Sequence, residues 1–253
     1  MILLTQMKLK FLGTSNGAGI PVHNCSCSTC EYYRKNKQSN LSTCSYIELD
    51  NKSVILIDAG VENIANIFDK RYIKAIFLTH FHSDHALGLL RLRYSYQKIL
   101  CFHPKDEEGF ANLFKHKMSI RYIENKEFKP IYADEIIFIP IPLSHSKNTT
   151  GYLIKTKNST IAYLTDCYAI PNLSLNFLKA INIDYVFIDA TYSPLSIGNN
   201  HLNYEEATLL IDEIKPKSNG FLMHASHKTL SYIADNKIEL KYKYINKGFE
   251  LTI

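Results

Sequence analysis

Short apolar runs, each ending in a polar cluster, recur along the chain and predict strands. Ala75-Ile76-Phe77-Leu78 is branched-rich and stops at Thr79, as a buried strand does. Residues 7–13 alternate apolar and basic positions and predict a first strand with one solvated face. Residues 44–49 and 53–57, joined by Asp50-Asn51-Lys52, predict a hairpin. Further strands are expected over 98–102, 136–143 (interrupted by Pro140 and Pro142), 152–155, 160–164, 185–188 and 221–223. Helices are expected over 61–69, 86–91, 107–117, 173–180 and 204–214, and residues 31–38 read as a polar helix or loop. The tail, 237–253, alternates Lys with apolar residues as solvated strands do, in preference to a stripe for nucleic acid. Gly13, Gly17, Gly19 and Pro21 mark an irregular loop that matches neither phosphate-binding glycine pattern, so a tight turn beside a pocket is expected.

Strands alternate with helices in two halves, with no Pro/Ser-rich linker, repeat or low-complexity segment. The expectation is a single α/β domain over residues 1–253. His80, His145, Asp166 and His224 each follow the end of an expected strand. That places them at one rim of a sheet, where α/β folds collect their active sites.

Composition narrows the class only slightly. With 46% apolar and 21% charged residues the chain is an ordinary globular sequence. A net charge of +5 from scattered lysines demands neither nucleic acid nor an acidic membrane, while favouring a small anionic substrate. Met1-Ile2-Leu3-Leu4 is too short for a signal-peptide core and no run is long enough to span a bilayer, so a cytoplasmic location is expected. Close cysteine spacing in such a chain points to metal instead of disulfides.

The chemistry concentrates in Thr79-His80-Phe81-His82-Ser83-Asp84-His85. An extended backbone past Leu78 puts His80 and His82 on one side, while Asp84 and His85 fall where the chain turns into a helix that Asp84 or Ser83 would N-cap. Nitrogen and oxygen ligands alone suit Zn, Mn or Fe(II), and the set serves two neighbouring divalent cations. Cys25-x-Cys27-x-x-Cys30 can converge on one tetrahedral Zn, which needs a fourth ligand from elsewhere. Asp58, ending a buried strand, either hydrogen-bonds a metal-bound imidazole or N-caps the following helix. His103 and His116 read as structural or solvated, and His23 carries no assignment.

In order along the chain, Leu12-Gly13-Thr14, Asp58-Ala59-Gly60, Thr79-His80-x-His82-x-Asp84-His85, His145, Asp166 and His224 resemble the motifs of metallo-β-lactamase-fold hydrolases. The Cys insertion (residues 20–38), Asn200-His201 and His224-x-x-His227 are similar to the PhnP family of phosphodiesterases of the carbon–phosphorus lyase (phosphonate) pathway. The resemblance implies an αββα four-layer sandwich. It assigns His80, His82 and His145 to one metal and Asp84, His85 and His224 to another, with Asp166 bridging. It also implies a structural Zn on Cys25, Cys27, Cys30 and His227. The implied catalytic metal is Mn, with Zn or Fe as alternatives. Cys167 departs from the family, which carries Thr there, and the 192–200 loop also differs.

The implied activity is hydrolysis of small cyclic phosphodiesters, 5-phosphoribosyl 1,2-cyclic phosphate or 2′,3′-cyclic nucleotides. A hydroxide bridging two metals about 3.5–4 Å apart would attack phosphorus. His201, with an imidazole's intrinsic pKa, is expected to protonate the leaving alkoxide or stabilise the transition state, and Asp166 joins it as a catalytic residue. The expected partner is a small anionic diester, with no stable nucleic acid and no membrane; a homodimer is admitted. Two rivals stand beside this. One is an RNA-processing nuclease of the same fold, for which no long substrate-gripping insertion is visible. The other is a non-catalytic metal-binding or cofactor-biosynthesis protein.

Overall fold

Alternation sets the layers. Along β3 (Ser53–Ile57), Ile55 and Ile57 enter one apolar cluster while Val54 and Leu56 enter another on the opposite face. Successive side chains of a strand point to opposite faces, so a strand apolar from Val54 through Ile57 must be covered on both. The computed structural model describes residues 7–50 and 52–253. The opening Met1-Ile2-Leu3-Leu4 and Asn51, expected in the hairpin turn, lie outside them.

Two seven-stranded sheets face each other. The first joins β1 (Lys8–Gly13), β2 (Cys44–Glu48), β3, β4 (Tyr72–Phe77), β5 (Ile99–His103) and β6 (Ile120–Glu124) in sequence order. The second holds β7 (Ile131–Ala133), β8 (Ile136–Leu143), β9 (Thr149–Lys155), β10 (Thr160–Leu164), β11 (Tyr185–Asp189), β12 (Asn219–Met223) and β13 (Lys243–Tyr244). The last strand, β14 (Glu250–Thr252), returns to the first sheet beside β1. Between the sheets lies a core of Leu9, Phe11, Ile55, Ile57 and Phe77 against Phe138, Tyr152, Ile154, Tyr163 and Phe187. The rings of Phe77 and Phe138 stack across it with centroids 3.6 Å apart.

Helices cover the outer faces. α2 (Ile64–Ile67), α3 (Ser83–Ala86) and α4 (Leu89–Leu92) bury Ile64, Ala86 and Leu89 against the first sheet. α5 (Asn172–Lys179) and α6 (Tyr204–Ile214) bury Leu178, Ala207 and Ile211 against the second. α1 (Ser28–Lys35) and α7 (His227–Asp235) pack on each other, the backbone N–H of Thr29 donating to Ser231 Oγ at 3.1 Å. The result is one domain with the αββα arrangement. No helix among the described residues is long and apolar enough to cross a membrane.

Several expectations change. Residues 107–117 form turns and no helix: Leu113, Phe110 and Phe114 pack on the core, but Gly109 and Ala111 take φ of 68° and 51°, outside any right-handed helix. The expected helix over 61–69 shrinks to α2, and the one over 86–91 breaks into α3 and α4. Gly88 at that break packs where a Cβ would meet the carbonyl oxygens of Ala59 and Val61 at 2.7 Å. Neither Ser83 nor Asp84 caps α3, whose N-cap is His82 without a side-chain bond. β6, β7 and α7 were not expected, and residues 149–151 extend β9. Within the tail only β13 and β14 are strands.

The sheets open on one rim. β3 and β4 run parallel, as do β10, β11 and β12, so their carboxyl ends lie together. Asp58 follows β3, His80 follows β4, His145 follows β8, Asp166 follows β10, Asp189 ends β11 and His224 follows β12. Parallel strands must place their carboxyl ends side by side, and these side chains meet there for that reason.

Candidate metal centre

The rim gathers two groups of side chains. Nitrogens of His80, His82 and His145 lie within 4.8 Å of one another, and so do ligand atoms of Asp84, His85, Asp166 and His224. Asp166 stands between the groups. Its Oδ2 is 3.2 Å from His85 Nε2 and from His224 Nε2, and 4.0 Å from His80 Nε2. His82 turns Nδ1 inward, 2.8 Å from His80 Nε2 and 3.2 Å from His145 Nε2.

Each of the other imidazoles is fixed from behind. His85 Nδ1 donates to Asp58 Oδ2 at 2.7 Å, and Asp58 Oδ1 accepts the backbone N–H and hydroxyl of Thr79 at 2.7 and 2.9 Å. Thr79 Oγ1 in turn meets His80 Nδ1 at 3.0 Å. Asp58 therefore braces an imidazole of the rim, and it caps no helix, since α2 starts after Asn63. His145 Nδ1 donates to the carbonyl oxygen of Asn200 at 2.9 Å, and His224 Nδ1 meets Thr191 Oγ1 at 2.8 Å. Such partners hold the outer nitrogen protonated and turn the inner nitrogen toward a cation. At His85 burial is outweighed by Asp166 and Asp58, which lift the pKa well above the imidazole range, so a cation would displace the inner proton.

Burial shapes the protonation. It drives His80 well below the ordinary imidazole range and lowers His82 and His145 as well, so these rings are neutral donors. For Asp84 burial opposes ionisation, but His224 and His85 outweigh it and hold the carboxyl at about 2. Asp166 follows the same balance and lies well below the carboxylate range.

The donor chemistry fits divalent cations. His224 Nε2 is buried with no hydrogen-bond partner among the described residues, although it faces the interior of the rim. An unpaired buried nitrogen costs about 1–3 kcal/mol, a penalty that a coordinated ion removes. A tetrahedral ion with bonds of about 2.0–2.1 Å to nitrogen separates its ligands by about 3.3 Å, near the spacing found. Glycines make the room. A Cβ on Gly60 would collide with the carbonyl oxygen of Asp84, and one on Gly17 would approach Asp84 Oδ2 to 2.9 Å.

A second cluster lies at the start of α7. His227 Nδ1 is 3.3, 3.4 and 3.5 Å from Sγ of Cys25, Cys27 and Cys30, all free thiols. Sulfur and nitrogen around one tetrahedral ion sit about 3.5 Å apart, so this group fits Zn. Burial opposes thiolate formation at Cys27, yet hydrogen bonds from Ser231, the backbone of Cys30, His227 and Cys25 bring it down to about 6. Cys30 is pushed up to about 11 by burial and its neighbouring thiols.

His201 sits beside the rim, its ring 5.0 Å from that of His145 and 4.8 Å from that of His224. Its Nδ1 is 2.6 Å from Asp189 Oδ2. Burial works to lower its pKa, but the Asp189 carboxylate wins and lifts it to about 9. Asp189, His201, Asp166 and His224 also lie close enough to surround an ion, but the 2.6 Å contact leaves no space for one between Asp189 and His201. A cavity of about 420 Å³ opens over these groups, lined by Asp84, His201 and His224 and by Asn16, Tyr192 and Lys228 among others.

Sequence reasoning missed Asp189, Thr191 and the Asn200 carbonyl. Asp189 carried a usable signal, a carboxylate at a buried strand end like Asp58; the carbonyl carried none. Cys167 points away from the rim into the outer core of the second sheet, fully buried beside Leu164 and Leu202. His103 is buried against Phe81 and Phe114 with Nδ1 on the Pro104 carbonyl at 2.7 Å, whereas His23 and His116 are exposed.

The beta-lactamase superfamily domain matches residues 54–225, from β3 to just past His224. The chain belongs to the beta-lactamase superfamily. A ribonuclease Z from Bacteroides thetaiotaomicron is 34% identical over 41% of this chain, and the match spans only 39% of that relative's length. The fold is shared with a diphosphatase from the PhnP family (TM-score 0.80, 23% identity, covering 98% of this chain and 97% of that one). It is shared too with Zn(II)-bound PqqB from Methylobacterium extorquens (TM-score 0.75, 14% identity, 97% and 100% covered). The superfamily's metallo-β-lactamase sandwich is the arrangement of this chain.

Proposed function

We propose that the chain is a dinuclear-metal phosphodiesterase acting on small cyclic phosphodiesters. The observation carrying this reading is Asp166, whose Oδ2 lies within 4.0 Å of imidazoles from both groups of the rim. His80, His82 and His145 would hold one ion and Asp84, His85 and His224 the other, with Asp166 shared. Mn is the first choice for the pair, Zn or Fe the alternatives, and Zn the choice for Cys25, Cys27, Cys30 and His227. Bound there, two divalent cations would acidify water and neutralise charge developing on phosphate.

The chain's own groups then divide the work. Asp58, Thr79, Thr191 and the Asn200 carbonyl fix the imidazole orientations. His201 is protonated at neutral pH, with Nδ1 committed to Asp189. Its Nε2 is left for the cavity, where it donates a proton to the departing alkoxide. A cavity of about 420 Å³ suits a phosphorylated sugar or a single nucleotide, of the size of 5-phosphoribosyl 1,2-cyclic phosphate or a 2′,3′-cyclic nucleotide. The scattered positive charge favours such anions, and the proposal places the enzyme in the cytoplasm.

The ribonuclease Z relative keeps an RNA-processing nuclease as the second reading. Turnover of bis(p-nitrophenyl) phosphate by Mn-loaded protein tests the first element common to both. A panel of cyclic phosphates run beside a structured RNA separates them. Cleavage of RNA alone would replace the first reading by the second, and no turnover of any diester would end both.

A further inference from the structure

The Cys cluster and the metal rim are joined by one short line of buried hydrogen bonds. His227, facing the three thiols, is the first residue of α7, and Ser226 is its N-cap. Ser226 Oγ accepts the backbone N–H of Thr229 at 3.1 Å. Two donors of this helix start converge on one acceptor, the carbonyl oxygen of Thr191. The backbone N–H of Ser226 reaches it at 3.2 Å and the Thr229 hydroxyl at 2.6 Å. Thr191 then acts through its own side chain. Its hydroxyl donates to Asp189 Oδ1 at 2.7 Å and accepts from His224 Nδ1 at 2.8 Å. Thr191 and Thr229 are 3% and 1% exposed, so no solvent competes for these bonds.

The geometry points to Thr229 as a positioning residue that carries the state of the Cys cluster to His224. This rests on the proposed metal rim. An ion on Cys25, Cys27, Cys30 and His227 would pin the first turn of α7. The pinned turn clamps the Thr191 backbone through Thr229, and the clamped Thr191 fixes the ring of His224 with Nε2 facing the rim. Coupling of this kind is reciprocal, so an ion at the rim must tighten the Cys cluster by the same factor. Thr229 belongs to neither group of candidate ligands.

The test is a binding measurement on the full chain, with Zn content followed by native mass spectrometry and Mn affinity by competition with a chelator. Thr229→Val keeps the shape and every candidate ligand while deleting the hydroxyl. With Zn retained, it should weaken Mn binding at the rim about 10-fold, at the lower end of the loss expected for partners behind a ligand. Thr229→Ser should restore the wild-type affinity. In the wild type, removing Zn should weaken Mn by a similar factor, and in Thr229→Val that dependence should shrink, the Ser226 N–H being the one remaining donor to the Thr191 carbonyl. Equal Mn affinities in the wild type and Thr229→Val would overturn the inference and leave the rim intact. Failure of the wild type to bind Mn, with Asp166→Asn no different, would instead remove the metal rim and this inference with it.

Discussion

Asp189 Oδ2 lies 2.6 Å from His201 Nδ1, while the other oxygen of the same carboxylate takes the backbone N–H and hydroxyl of Thr191 at 3.0 and 2.7 Å. One buried carboxylate thus sets the proton on His201 and the orientation of the residue behind His224.

The pH dependence follows from that contact. His201 has its pKa raised from 6.5 to about 9, so its protonated form persists through neutrality and is lost as pH rises through about 9. Activity should fall over that limb. Asp189→Asn removes the charge that opposes burial, and the limb should move down toward pH 6.5, as read from kcat/KM against pH on bis(p-nitrophenyl) phosphate. The same sign governs stability. A raised folded-state pKa contributes fully below pH 6.5 and loses that contribution as pH rises through about 9. Urea midpoints at constant metal content should therefore decline across that interval in the wild type and stay level in Asp189→Asn.

His201→Ala should reduce turnover by about 10²-fold or more, the size expected when a general acid is lost. Metal content should stay the same, because the ring lies beside the rim and outside both ligand groups. Unchanged turnover would remove His201 from the reaction.

Gly60→Ala should disturb the rim without altering a ligand. Its Cβ would collide with the Asp84 carbonyl oxygen, so the 84–85 backbone must move. We expect at least a 10-fold loss of Mn affinity by chelator competition, with Zn at the Cys cluster retained. Native affinity would show that this loop yields freely.

Cys27→Ser should cost one Zn ion and leave two rim ions, taking the total by native mass spectrometry from three to two. Loss of the thiol also removes one tie between α1 and α7, leaving the Thr29–Ser231 bond, so the thermal midpoint should fall. A Cys27→Ser protein with undiminished Zn would dismiss the cluster as a site.

Phe138→Ala should destabilise the fold by about 3–5 kcal/mol, the range for deleting a buried aromatic ring. Phe138 stacks on Phe77 between the sheets, and the backbone there has little freedom to close the gap. Urea unfolding measures it. A loss below about 1 kcal/mol would mean that the sheets re-close over the cavity.

The strands were legible because their apolar runs are covered on both faces and end in polar residues that cannot follow them inward. The 107–117 segment departs from its expected helix for a local reason. Its apolar residues do pack on the core, but Gly109 and Ala111 take positive φ, which a right-handed helix does not contain. α7 escaped notice because what fixes it is remote: the thiols facing His227 and the Ser231 bond to α1 come from residues some two hundred positions earlier.

By itself the sequence determined which donor side chains stand at which strand ends, since residue type and period are local properties. Only tertiary structure decided how the groups meet. It brought Asp166 between two sets of imidazoles, turned Asp58 toward His85 instead of a helix, sent Cys167 into the core and set Asp189 behind His201. Those outcomes depend on how two sheets pack and which parallel strands lie adjacent, and sequence spacing does not encode either.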